Sequence, residues 1–324
     1  MRLTLLSAAT LRAALPMPEA IACMKAAFAA LSAGQATMPL RSAVPVPAVE
    51  GVSFFMPALV NAGLGAKIVS VFPRNAQHNQ PTIYGLVIVL NAQTGEPLAL
   101  CDGTFLTAWR TGAASGAATD LLARPEATIG ALIGCGAQAR TQLLGMLAAR
   151  PLREVRVYAR RTEASQAFLA EMQPQVAARL SIVTSSAEAV RDADVICVAT
   201  TSATPVFEGQ YLKPGAHING IGSFTRQMQE LDATTVQRAR IFVDSRVAAL
   251  AEAGDLVIPL NAGQTRTEDW TELGEVVAGL KLGRQTPAEI TFFKSVGVAV
   301  QDVAAATQAL SVADERGLGE RVEF

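Results

Sequence analysis

Apolar and polar residues alternate along the chain with two distinct rhythms. Residues 1–7 (MRLTLLS) read as a short strand. A helix is expected from Pro18 to Ala33, where Ile21, Met24, Ala27, Phe28 and Leu31 fall at helical spacing and Gly34 is a natural stop. From Pro39 to Leu100 the texture changes. Runs at Ser53–Met56, Gly65–Phe72, Tyr84–Asn91 and Pro97–Cys101 are rich in apolar and β-branched residues and are broken by prolines and glycines. The stretch Asn91-Ala-Gln-Thr-Gly95 fits a hairpin turn, so this block is expected to be an antiparallel sheet. Thr107–Leu122 is an Ala- and Gly-rich helix whose small side chains permit close packing.

From Ala127 the rhythm becomes strand, Gly-rich turn, helix, strand. Strands are expected at Thr128–Ile133, Glu154–Tyr158, Leu180–Val183, Val195–Ala199, His217–Ile221 and Ile241–Val243. Helices are expected at Gln138–Ala149, Ser165–Met172 and Ser186–Val190. That alternation predicts an α/β chain with a doubly wound parallel sheet of Rossmann type, beside a mostly antiparallel α+β domain. The expected division is a first domain at residues 1–122, completed by a C-terminal segment at 297–324 whose helix covers about Gly297–Leu310, and a second domain at 123–296.

Composition narrows the function classes. The chain has 324 residues, half of them hydrophobic but only 5% aromatic, so Ala, Val, Leu and Ile build the core. With a formal charge of −1 and no long basic run, no nucleic-acid partner is expected. Mean hydropathy is +0.30, yet no stretch reaches about 18 uninterrupted apolar residues, so no membrane span is expected. The N-terminus lacks a signal-peptide layout. The four cysteines (Cys23, Cys101, Cys135, Cys197) are far apart in sequence and fit buried thiols in a reducing cytoplasm. Two histidines without HExxH or CxxC spacing give no expectation of a metal site.

Gly134-Cys-Gly136-Ala-Gln-Ala139 follows an apolar strand and opens a helix, the context in which a G-x-G-x-x-A turn binds a dinucleotide. The glycines allow a tight turn and approach of a pyrophosphate to backbone N–H groups, with Ala137 and Gln138 at the helix N-terminus. An ordinary Gly-containing βα turn is the alternative. The next strand ends in Arg160-Arg161-Thr162, where NAD-preferring sites usually carry an acidic residue. Arginine pairs with a 2′-phosphate, so NADPH is expected to be preferred, with NADH possible; a solvated basic turn is the alternative. Thr200 and Ser202, after Asp194-Val-Ile-Cys-Val-Ala, are expected at the other side of the cofactor, with Thr111 contributing from the preceding helix.

In the first domain, Gly65-Ala-Lys67-Ile-Val-Ser-Val-Phe-Pro73 precedes Asn79-Gln-Pro81-Thr82, Asn91-Ala-Gln-Thr-Gly95-Glu-Pro97 and Thr107-Ala-Trp-Arg110-Thr111. With the Gly134 motif, Phe293-Lys-Ser-Val-Gly297 and Asp302, this order resembles the ornithine cyclodeaminase/mu-crystallin family over nearly the whole chain. The resemblance implies a dimerising substrate domain plus a Rossmann domain, a homodimer, and substrate-carboxylate contacts at Arg41, Lys67 and Arg110, with Thr82 nearby. Three cations suit an α-carboxylate independently, although each alone could be a surface cation. Lys67 lies in an apolar run (Ala66, Ile68, Val69), where an unpaired ammonium would be costly until a substrate carboxylate relieved it. On that basis Lys67→Met is expected to leave the melting temperature unchanged or raised.

Cyclodeaminases of that family carry an Asp in a G-x-D-x-P-G-K type segment. The matching stretch here is Gly220-Ile-Gly222-Ser223-Phe224-Thr225-Arg226, with Phe224 at the Asp position, and an aromatic ring transfers no proton. The Gly-Ser-Phe-Thr run resembles the family's reductases of Δ1-pyrroline-2-carboxylate and Δ1-piperideine-2-carboxylate, although those usually have Pro at the Arg226 position. The expectation is a cyclic ketimine reductase giving L-proline or L-pipecolate, with Lys67, Arg110 and Ser223 as catalytic residues. Ser223 and Thr225 could instead serve only loop hydrogen bonding. Open alternatives are an alanine dehydrogenase-like or N-alkyl amino acid dehydrogenase, an ornithine cyclodeaminase, and a mu-crystallin-like protein that binds NADPH without turnover.

Overall fold

The computed structural model describes residues 2–323 and divides into two compact units, Met1–Arg110 with Val298–Phe324, and Thr111–Gly297. The first unit contains β1 (Arg2–Leu6), α1 (Ala8–Ala14), α2 (Met17–Ser32), β2 (Ala36–Thr37), β3 (Ser42–Val46), β4 (Gly51–Val60), β5 (Gly63–Val71), β6 (Ile83–Asn91), β7 (Pro97–Asp102) and the start of α3 (Gly103–Leu122). A final helix (Ala299–Arg316) and a final strand (Glu320–Glu323) complete it. The sheet runs final strand, β1, β7, β6, β5, β4, β2, with β3 also pairing β4. It is antiparallel, as expected for the block from Pro39, except that β1 lies parallel to β7; α1 and α2 follow β1 directly, so no hairpin links it to its neighbour.

Alternation along these strands sorts side chains onto two faces. Met56, Lys67 and Val87 are cross-strand neighbours and are buried. The final helix packs on β4, β5 and β6, and Gly63 sits so close to Thr307 and Val303 that a side chain there would collide. One residue along, Phe55, Ile68 and Leu86 are also cross-strand neighbours, and they are 42%, 42% and 51% exposed. The expected Asn91 turn forms: the Asn91 carbonyl accepts from Gly95 N–H, its side-chain oxygen from Gln93 and Thr94, and Gly95 adopts φ +75°. α3 starts at Gly103 rather than Thr107, because the Asp102 carboxylate accepts from Phe105 N–H (3.0 Å) and caps it.

The second unit holds the rest of α3, then β8 (Ile129–Ile133), α4 (Ala137–Ala149), β9 (Glu154–Tyr158), α5 (Thr162–Met172), β10 (Arg179–Ile182), α6 (Ser186–Val190), β11 (Val195–Val198), β12 (His217–Gly220), α7 (Ala233–Arg238), β13 (Ala239–Val243), α8 (Arg246–Glu252), α9 (Gly254–Asn261), β14 (Thr271–Glu272), α10 (Leu273–Val277) and β15 (Ile290–Lys294). The strands are all parallel, in the order β10-β9-β8-β11-β12-β15-β13-β14. The order reverses between β8 and β11, which opens a crevice at their carboxyl ends. Leu132, Leu143, Met146, Val157 and Phe168 fill the core on one side. Gly112 and Gly145 bring α3 and α4 into backbone contact; a Cβ on either would meet the other helix's backbone.

The division between units falls at Arg110/Thr111, inside α3, and not at the helix end near residue 122. The small-residue stretch after Arg110 packs on α4, which ties it to the second unit. Among the described residues no single helix is long and apolar enough to cross a membrane.

Candidate active site

In the second unit, β8 runs into Gly134 at φ +100°, a backbone state open to glycine, where a Cβ would strike the Ala199 carbonyl. Gly136 is extended, caps α4 without a side-chain bond, and faces open space where its Cβ would be. The N–H groups of the first turn of α4, at Ala137 and Gln138, are thus free of side-chain caps beside a cleft of about 590 Å³. Gly134, Gly136, Arg160, Arg161, Thr200 and Ser202 line this cleft. Arg160 and Arg161 are exposed and, among the described residues, have no ion-pair or hydrogen-bond partner. Thr162 is exposed at the first position of α5, Ala137 is exposed, and the buried Gln138 Oε1 has no partner. Thr111 is buried on α3 and is not among the lining residues. Two bare glycines at a helix N-terminus facing unpaired guanidinium groups suit a dinucleotide's phosphates.

In the first unit, Lys67 on β5 and Arg110 on α3 converge on one carboxylate. Asp302, on the first turn of the final helix, receives Lys67 Nζ at 2.8 Å and Arg110 Nε at 3.0 Å, and all three side chains are buried. Arg110 Nη1 also donates to Gln301 Oε1 (2.5 Å), which accepts from Val298 N–H (2.8 Å) and so fixes the start of that helix. Arg41 stacks its guanidinium on the Phe54 ring, 4.5 Å from the centroid. Burial first, and the Arg110 charge second, push Lys67 down to about 7; Asp302 opposes the shift and Arg41 adds to it. The expected picture of an unpaired Lys67 is therefore corrected: the ammonium has a partner, supplied by a residue far along the chain. Thr82 lies half-buried just before β6, with its carbonyl accepting from Phe72 N–H.

Ser223 is fully buried, its Oγ donates to the Met228 carbonyl (3.0 Å), and its N–H donates to Glu230 Oε2 (2.8 Å). These are the loop hydrogen bonds that stood as the alternative to its expected catalytic role. Phe224 beside it is half-buried. Sequence reasoning also gave no role to three buried charges behind the cleft. Asp255 pairs with Lys294 (2.9 Å), and its other oxygen accepts from Glu230 and Leu231 N–H groups. Only the apolar neighbours of Asp255 and Lys294 hinted at pairing.

The Asp302 contacts give a stability test. Asp302→Asn leaves two buried cations uncompensated and is expected to cost about 3–5 kcal/mol. Lys67→Met leaves Asp302 still neutralised by Arg110 and is expected to cost about 1 kcal/mol or less. Urea unfolding of both variants checks the order; the reverse ranking would show that Asp302 is not the group that stabilises the cluster.

The sequence profile described as the ornithine cyclodeaminase/mu-crystallin family matches residues 2–316. A Δ1-pyrroline-2-carboxylate reductase of Bacillus cereus is 39% identical over 312 residues, covering 95% of this chain and 96% of that protein. An alanine dehydrogenase of Archaeoglobus fulgidus is 35% identical over 309 residues, covering 95% of this chain and 94% of that one. The structure of Thermococcus litoralis Δ1-pyrroline-2-carboxylate reductase in complex with NADH and L-proline matches with a TM-score of 0.95 at 38% identity, covering 99% of this chain and 100% of that one. With a family profile spanning both units and relatives alike from end to end, the chain belongs to the ornithine cyclodeaminase/mu-crystallin family.

Proposed function

We propose that this oxidoreductase reduces a small cyclic α-imino acid, Δ1-pyrroline-2-carboxylate or Δ1-piperideine-2-carboxylate, to L-proline or L-pipecolate, with NADPH preferred over NADH. The first unit is then the substrate-binding and dimerising part, and the second binds the cofactor. One observation carries the proposal: Lys67 and Arg110 converge on the single carboxylate of Asp302, and the Arg41 charge is felt at Lys67. Two buried cations against one anion leave an excess of positive charge that a second carboxylate, the substrate's, would neutralise. The similar proteins named as pyrroline-2-carboxylate reductases support the same substrate class.

In this mechanism Arg41, Lys67 and Arg110 hold the carboxylate, and Thr82 adds a hydroxyl to the same unit. Fixing the carboxylate orients the ring C=N for attack, which lowers the entropic part of the barrier. A nicotinamide held by the Gly134–Gly136 turn would supply the hydride. The substrate anion favours the charged form of Lys67, against the burial that pushes it down. Phe224 offers no proton-transfer group, and the Ser223 hydroxyl is engaged by Met228. The imine nitrogen then arrives protonated, or takes its proton from water or the Thr82 hydroxyl. The free thiols fit a cytoplasmic setting.

A second copy of the chain is proposed to cover the face carrying Phe55, Ile68 and Leu86, a contiguous apolar row at odds with a monomer's surface.

Three outcomes are expected. NADPH oxidation should be fast with pyrroline- or piperideine-2-carboxylate and slow with pyruvate plus ammonia, and ornithine should release no ammonia; turnover of pyruvate or ornithine at a comparable rate would sink the assignment. Replacing Arg160 and Arg161 together by Ala should lower kcat/KM for NADPH by about ten-fold or more and barely change it for NADH. Equal losses would show that the two arginines read no 2′-phosphate. Light scattering should give at least a dimer, and Ile68→Glu should shift it toward monomer, whereas a monomeric wild type would contradict the covered face.

A further inference from the structure

A wall of the cleft, starting beside Gly134, is the segment Thr200–Val206, which follows β11 and carries no helix or strand. Such a segment needs something to hold its shape. Glu230 supplies it. Its Oε1 accepts from the Thr200 N–H (2.6 Å) and from the Thr200 hydroxyl (2.7 Å), while Oε2 accepts from Ser223 N–H (2.8 Å). The backbone adds two more ties: Val206 N–H donates to the Glu230 carbonyl (2.9 Å) and Gln229 N–H to the Ser202 carbonyl (3.3 Å). Gly222 completes the fit, because a Cβ there would overlap the Thr200 backbone and the Glu230 carboxylate.

Glu230 is itself held from behind. Asp255 Oδ1 accepts from its N–H (2.6 Å), and Asp255 is paired with the buried Lys294. We infer that Glu230 is a positioning residue for the cofactor cleft: through Thr200 it fixes the Thr200–Val206 wall in the shape that receives the dinucleotide. This rests on the proposal that the cleft is a nicotinamide cofactor site. The function is not contact with the ligand, because Glu230 is fully buried behind the wall.

The ionised carboxylate matches its surroundings, since all three bonds are donated to it; a proton on Oε2 would have no acceptor, and one on Oε1 would require the Thr200 hydroxyl to give up its own bond and accept instead. Of the charged and titratable groups around it, Lys294 on β15 favours ionisation and Asp255 on α9 opposes it, with the buried Cys197 thiol of β11 nearby. Burial, the largest influence, pushes Glu230 up to about 7. The clamp is therefore complete at alkaline pH and is loosened as pH falls through about 7.

NADH titration followed by fluorescence tests this directly, and NADH is used because it lacks a titrating 2′-phosphate. Glu230→Gln can keep the acceptor toward Thr200 but turns an amide donor toward the Ser223 N–H. Its Kd for NADH near pH 8 is expected to rise about ten-fold, with KM for the cofactor affected more than kcat. Wild-type affinity should weaken on going from about pH 8 to about pH 6, and the Gln variant should lose that slope. Thr200→Val removes only the hydroxyl donor; it should weaken NADH binding about three-fold with little change in melting temperature, and it answers the question if Glu230→Gln fails to fold. Wild-type Kd in the folded variants, or an unchanged pH slope in the Gln variant, overturns the inference. A wild type that binds neither NADH nor NADPH overturns the cofactor assignment of the cleft, and the inference falls with it.

Discussion

The first unit depends on a single carboxylate. Lys67 and Arg110 are both buried, and two like charges in a low-dielectric interior repel each other and lose their hydration. Asp302 meets both, one oxygen to each, and Gln301 takes a further guanidinium N–H. The cluster still carries more cation than anion; burial first, and the Arg110 charge after it, lower the affinity of Lys67 for its proton. A site in that condition is satisfied for folding and unsatisfied for charge, which is the physical state that favours capture of a small carboxylate. Arg41, on the Phe54 ring and only half-buried, differs from the other two in its freedom to adjust.

The two faces of one sheet share this unit's labour. Alternation puts Lys67 inward with Met56 and Val87, and puts Ile68 outward with Phe55 and Leu86. A one-residue slip of β5 would exchange the two sets, so the register that places the cation also places the apolar row. The burial of Lys67 and the exposure of Ile68 are thus set together by backbone pairing, without any side chain common to both faces.

Much of the fold is legible in the sequence because its signals are local. The β-branched runs of β4 to β7, the Asn91–Gly95 turn and the Gly134 motif each depend on residues a few positions apart. The features that stay hidden depend on distance along the chain. Arg110 and Asp302 are 192 positions apart, and nothing near either residue announces the other. The parallel pairing of β1 with β7 and the strand β15, flanked by short helices and loops, escape for the same reason. Ser223 shows the opposite failure. Its motif context suggests chemistry, but the carbonyl of Met228, five residues on, engages the hydroxyl. Glu230 follows that motif in the sequence without any local signal, and its task at Thr200 is set by contact between segments 30 positions apart.

The order of the chain gives the Asp302 contact a temporal meaning. The entire second unit is inserted between the two pieces of the first. During synthesis Lys67 and Arg110 emerge early, while their counter-ion follows Arg110 by 192 positions and Lys67 by more, a delay of roughly 10–40 s after Arg110 at ordinary elongation rates. The sheet of the first unit thus has no reason to close over its cations in that interval, and the second unit, contiguous in sequence, is free to fold first. Completion of the first unit becomes a late event, timed by the arrival of one acidic residue on the last helix.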